Sequence, residues 1–124
     1  MSPRRRVALI VVLMGGLSLA RAAGAQDVPV VFIHGIFANG DEWRRTSARL
    51  ANLLQITPYV VDLPSTATLD TQTAQLDGAM RSLPSNTIAV GHSQGGLIAR
   101  QWHRSKALSG VLTLGTPHQG ALLS

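Results

Sequence analysis

The chain has 124 residues, enough for one domain, with 45% hydrophobic residues, 4% aromatic residues and no cysteine. Its formal charge of +5 sits at the start, where Arg4, Arg5, Arg6 and Arg21 lie in a segment without acids; beyond residue 25, seven basic side chains face six acidic ones. No basic stripe with interleaved aromatics remains, so no nucleic-acid partner is expected. Without cysteine, neither a disulfide framework nor a lipid-bearing thiol is available.

Met1 to Ala25 reads as a signal peptide. Arg4 to Arg6 form the charged start, and Val7 to Ala20 form the apolar stretch. Ala23 and Ala25 offer small residues at the positions a signal peptidase reads. The competing reading is an uncleaved anchor, but the apolar run is shorter than the ~18 residues a spanning helix needs, and Gly15-Gly16 interrupt it. Cleavage is expected after Ala25, leaving 26–124 as the domain and the periplasm or the medium as its destination.

Short apolar runs then alternate with longer amphipathic ones. Val28 to Ile33 is a continuous, β-branched run and reads as a strand buried on both faces. His34 to Gly40 is a loop. Asp41 and Glu42 place acids in a first helical turn, and Trp43, Ser47, Leu50 and Leu54 share one face. Pro58 is expected to end that region, with Tyr59 to Val61 as the second strand, closing at Asp62-Leu63-Pro64. Leu69, Thr73, Leu76, Met80 and Leu83 mark a second helix, stopped by Pro84. Ile88 to Val90 form the third strand. A helix with Leu97, Ile98 and Trp102 on its apolar side and Arg100 and Arg104 in solvent begins at Gln94. Gly110 to Leu114 form the fourth strand, closing at Gly115 to Gly120.

Strand–helix repetition with buried strands implies a parallel sheet with right-handed crossovers and helices on both faces. Ligand sites in such sheets lie beyond the carboxyl ends of the strands. There the chain carries Gly91-His92-Ser93-Gln94-Gly95, a G-x-S-x-G pattern between a strand and a helix. That context reads as a nucleophile elbow, in which glycines two residues either side of the serine remove collisions with the neighbouring backbone. The competing reading is an ordinary Gly/Ser turn.

Val31-Phe32-Ile33-His34-Gly35, Val90 to Gly96, and Leu114-Gly115-Thr116-Pro117-His118-Gln119-Gly120, in this order, resemble the α/β-hydrolase superfamily. Within it, the resemblance is to bacterial secreted triacylglycerol lipases and the PGAP1-like lipase group, from about Val28 to Gly120. The fold implied is α/β: an α/β-hydrolase-type parallel sheet with helices on both faces, truncated after about four strands. The activity implied is hydrolysis of carboxylic esters, above all lipid esters.

Ser93 is then the nucleophile, which needs a base and an orienting acid. An ester oxyanion needs N–H donors: that of Gln94 and, by the resemblance, that of Ile36 or Phe37. His34, Gly35, Gly91, Gly95 and His118 shape the surrounding loops. His92 is expected to be structural and His103 solvated, so none of the four histidines serves as the base. The family's order is serine, acid, histidine, yet no Asp or Glu follows Ser93. Asp62 resembles a structural aspartate. The reading is therefore an N-terminal fragment whose isolated form is marginally stable, since an uncovered parallel edge exposes unpaired backbone. No cofactor or metal is expected, because no carboxylate cluster, paired-histidine spacing or phosphate-loop lysine is present. The partner is a small-molecule or lipid ester substrate with transient contact to a lipid interface; no specific protein partner is implied. The alternatives are an amidase, a thioesterase, a polyester depolymerase, or a non-catalytic remnant or binding module.

Overall fold

Val28–Ile33 forms β1, the strand on which the rest is assembled. Pro29 apart, its residues are large and apolar or β-branched, and Val30 through Ile33 are at most 6% exposed, because helices cover both faces. The computed structural model describes residues 27–120; the leader expected over Met1 to Ala25 lies outside the described residues. After β1 come α1 (Asp41–Leu53), β2 (Ile56–Val60), α2 (Leu69–Met80), β3 (Ile88–His92), α3 (Gln94–Lys106) and β4 (Gly110–Leu114). The strands lie in the order β2-β1-β3-β4, every neighbouring pair parallel. The expected α/β-hydrolase-type sheet is therefore present.

Helix α1 covers one face, packing Trp43 and Ala51 on Val30, Phe32, Ile56 and Val90. The Trp43 ring lies 5.1 Å from that of Phe32, and its Nε1–H donates to the Ile33 carbonyl at 3.0 Å, so the indole satisfies its one donor while buried. Helices α2 and α3 cover the other face, setting Leu76, Ile98, Ala99 and Trp102 against Val31, Ile33 and Ala89.

Three local expectations need correction. Pro58 lies inside β2, paired with Val30 in register, and does not separate a helix from a strand. Among the described strands β2 is at the sheet edge, where a residue without an N–H costs no ladder bond. The buried stripe of α1 is Trp43, Ser47 and Ala51; Leu50 is partly buried, and Leu54 lies past the helix end, 52% exposed. Helix α2 stops at Met80 and buries Gln72 beside Thr73 and Leu76. The Gln72 Nε2 donates to the Pro64 carbonyl at 2.7 Å, which satisfies part of the amide inside the core.

Strand β4 pairs with β3 on one side. Its Leu112 and Leu114 continue the face covered by α1 elsewhere, yet they are 53% and 45% exposed.

Candidate active site

The carboxyl ends of β1 and β3 carry the groups singled out above. Ser93 follows β3 directly and adopts φ 57°, ψ −124°, a region that an L-residue occupies only when its surroundings force it. Three sets of constraints do so. A Cβ on Gly91 would overlap the Gly95 carbonyl, and one on Gly95 would overlap the Ile33 carbonyl and come within 2.6 Å of that of His34. The Ser93 N–H donates to Leu114 O at 2.9 Å. The Ser93 carbonyl accepts from the Gly96 N–H at 3.0 Å and the Thr116 hydroxyl at 2.8 Å. Its side chain makes no capping bond to α3, although it stands at the helix N-terminus, where the backbone dipoles favour developing negative charge.

The loop after β1 faces the elbow. A Cβ on Gly35 would lie 3.1 Å from Ser93 Cβ and 3.2 Å from the His92 carbonyl, so glycine permits this close approach. Phe37 has φ 62° and is 77% exposed. The local turns use the N–H groups of Ala38 (to Gly35 O, 3.2 Å), Ser93 and Gly96. The N–H groups of Ile36, Phe37 and Gln94 take no part in these turn and cap bonds among the described residues. The three donors named from the sequence therefore lie outside the local hydrogen bonding that surrounds them.

The loop's shape is set from behind. His34 is 1% exposed. Its Nε2 accepts the Leu63 N–H at 2.9 Å, which leaves Nδ1–H to donate to Gly35 O at 2.9 Å. Both ring nitrogens are occupied. Asp62 accepts the Gly40 N–H through Oδ1 and Arg44 Nη2 through Oδ2 at 3.1 Å. The Asp41 carboxylate, with Asp62 behind it, holds the Arg44 guanidinium above its ordinary range.

His118 is likewise engaged. Arg100 Nη1 donates to its Nδ1 at 2.6 Å; a guanidinium is a donor only, so Nε2 carries the proton and donates to Thr113 Oγ1 at 3.0 Å. His103 is exposed but not merely solvated: its Nδ1 accepts the Leu108 N–H at 2.9 Å, closing the end of α3. His92 Nδ1 meets Glu42 Oε2 at 2.7 Å. The sequence places Thr116 after the fourth strand and Glu42 in a first helical turn but marks neither as part of the site. A hydroxyl just past the fourth strand is a signal that could have found Thr116, whereas nothing local marks Glu42, whose partner lies 50 positions away. Among the described residues, no group of three or more His, Asp or Glu is placed to hold a metal ion, and no helix is long and apolar enough to cross a membrane.

This arrangement coincides with a family match over residues 30–123. The chain belongs to the alpha/beta hydrolase family. No curated protein sequence matches it, but solved structures do. An extracellular alpha/beta-hydrolase from a Paenibacillus species superposes with a TM-score of 0.64 at 20% identity, covering 77% of this chain and 42% of that one. A Bacillus licheniformis lipase in mature form gives 0.60 at 21% identity over 81% and 46%. The type II thioesterase of a borrelidin biosynthetic cluster gives 0.62 at 18% identity over 79% and 47%. The chain thus spans less than half the length of these proteins. At such identities the likeness is one of fold.

Proposed function

We propose that this alpha/beta hydrolase chain is the nucleophile-bearing N-terminal part of a secreted serine hydrolase that cleaves carboxylic esters, above all lipid esters. The observation that carries the reading is the strained serine, Ser93 at φ 57°, ψ −124°, next to Gln94 and close to the loop of Ile36 and Phe37, whose N–H groups take no part in the surrounding turn bonds. Ser93 Oγ attacks the ester carbonyl and its proton passes to a base; the alcohol leaves, and water then releases the acid from the acyl-serine. The Gln94 N–H and that of Ile36 or Phe37 receive the oxyanion, which supplies about 3 kcal/mol per donor in comparable sites. His34 and His118 have both nitrogens occupied and Asp62 is tied to Gly40 and Arg44. The family's order of serine, acid and histidine places the base and its orienting acid after the nucleophile, and they are assigned to residues beyond those described. Phe37, 77% exposed in the loop that follows β1, offers an apolar surface that favours an acyl chain and contact with a lipid interface. Export rests on the leader pattern and is supported by the extracellular Paenibacillus relative.

The test is labelling by a fluorophosphonate probe together with hydrolysis of short- and long-chain p-nitrophenyl esters. Ser93→Ala is expected to abolish labelling and to lower turnover by about 10⁴-fold or more. Persistence of either in Ser93→Ala refutes the assignment. Thioester and amide counterparts in the same assay settle which acyl derivative is preferred.

A further inference from the structure

We infer that Glu42 is a positioning residue for the reaction proposed above, on which this inference rests: acting through His92, it fixes the oxyanion loop against the nucleophile elbow. Glu42 stands in the first turn of α1, just beyond that loop. An acid there is stabilised by the helix dipole and needs no partner. Yet its side chain is only 25% exposed, and its Oε2 lies 2.7 Å from His92 Nδ1. A carboxylate only accepts, so the imidazole donates from Nδ1. His92 is bonded directly to Ser93. Its Nδ1 and carbonyl lie 3.4 and 3.2 Å from where a Gly35 Cβ would be, with Ser93 Cβ 3.1 Å from the same point. Elbow and loop therefore meet so closely at Gly35 that a Cβ there would require its neighbours to shift by a few tenths of an ångström. The β1–β3 pairing ends at Ile33 and Gly91; beyond it, contact alone resists compression but not separation, and the Glu42–His92 bond adds a side-chain restraint there.

The remaining ties of the loop act elsewhere. His34 binds its start to Leu63 and Asp62 binds its end at Gly40, both fixing it to the stretch that follows β2. Of the ties described for the segment from His34 to Glu42, the one from Glu42 reaches a side chain of the elbow. It therefore bears on the distance between the Ile36 and Phe37 donors and the Ser93 oxygen, a distance in which errors of about 1 Å cost large factors in rate.

The test compares Glu42→Ala, Glu42→Gln and Arg81→Ala in the full chain. Arg81 pairs with Asp77 far from the elbow and controls for general destabilisation. Glu42→Ala is expected to raise amide hydrogen exchange over residues 35–40 by about ten-fold and to lower kcat about three- to ten-fold at nearly constant KM. Glu42→Gln keeps an acceptor for the imidazole N–H and is expected to recover most of both. Arg81→Ala should lower the melting temperature and move neither. Wild-type turnover with unchanged kcat and exchange in Glu42→Ala removes this role alone. A wild-type protein that carries the acid- and histidine-bearing part and neither cleaves esters nor labels at Ser93 removes the reaction, and this role with it.

Discussion

The two ends of α3 treat polar groups in opposite ways. At its start, Ser93 is held in a conformation that side chains avoid, its hydroxyl caps nothing, and the adjacent N–H groups stay out of the local bonds. At its end, Trp102 Nε1 donates to Asp77 at 3.0 Å and Arg81 pairs with the same carboxylate. Lys106 donates to the carbonyls of Arg81 and Leu83 at 3.1 and 2.8 Å. At the start the strained serine and its neighbouring donors stay out of local bonds; at the end the donors of Trp102 and Lys106 are bonded. The contrast shows where this domain gives up stability, and an active site is the usual reason for such a concession.

The elbow is most sensitive to change at its glycines. Gly95→Ala drives a methyl into the Ile33 and His34 carbonyls, backbone atoms of the central strand that cannot yield. A loss of about 3 kcal/mol or more is expected, measured as a fall in the urea midpoint or a failure to fold. Gly78→Ala, in α2 with nothing within 4 Å of the new methyl, should instead gain about 0.5–1 kcal/mol. Equal effects at the two positions would mean that the elbow is not sterically locked.

At the other end of α3 the expected effect is smaller and depends on pH. The hydrogen bonds from Arg81, and then from Trp102, hold the Asp77 carboxyl below its ordinary 3.8. A lowered folded value means that the stabilisation is fully present above about 3.8 and is lost as pH falls through the folded value. Asp77→Asn should therefore lower stability by about 1 kcal/mol at neutral pH. It should also flatten the acid limb of a melting-temperature profile between about pH 2 and 5. A mutant profile parallel to wild type throughout would show that the carboxylate does not titrate against the fold.

Much of this was legible in the sequence because it is local. The apolar runs gave β1, β3 and β4 to within a residue or two, and G-x-S-x-G between a strand and a helix marked the strained serine. What the sequence could not reveal is set by non-local geometry. Pro58 reads as a breaker until β2 is known to lie at an edge, where the missing N–H is harmless. Leu54 reads as core by period, but α1 ends at Leu53 and the chain turns extended, leaving Ala51 to fill that place. Gln72 carries no apolar signal that would place it in the core, since its partner is a carbonyl on another segment. The tie between Glu42 and His92 crosses from a helix to a strand end with no pattern to announce it.

The subtlest difference between the two ends lies in the backbone, because both carry a non-glycine residue at positive φ: Ser93 at 57° and Ala107 at 61°. Ala107 closes α3 in a left-handed cap, its N–H donating to His103 O at 2.8 Å, a position where glycine removes the steric penalty on Cβ. Ala107→Gly should therefore gain about 0.5–1 kcal/mol, with labelling of Ser93 unchanged. Ser93→Gly relieves the same kind of strain and should gain about 1 kcal/mol in urea denaturation, at the loss of the proposed nucleophile. A gain at 107 without one at 93 would mean that the hydrogen bonds to Leu114, Gly96 and Thr116 already offset the strain at the elbow. The conformation of Ser93 would then be imposed by its backbone partners, and its cost would no longer count as a sign of function.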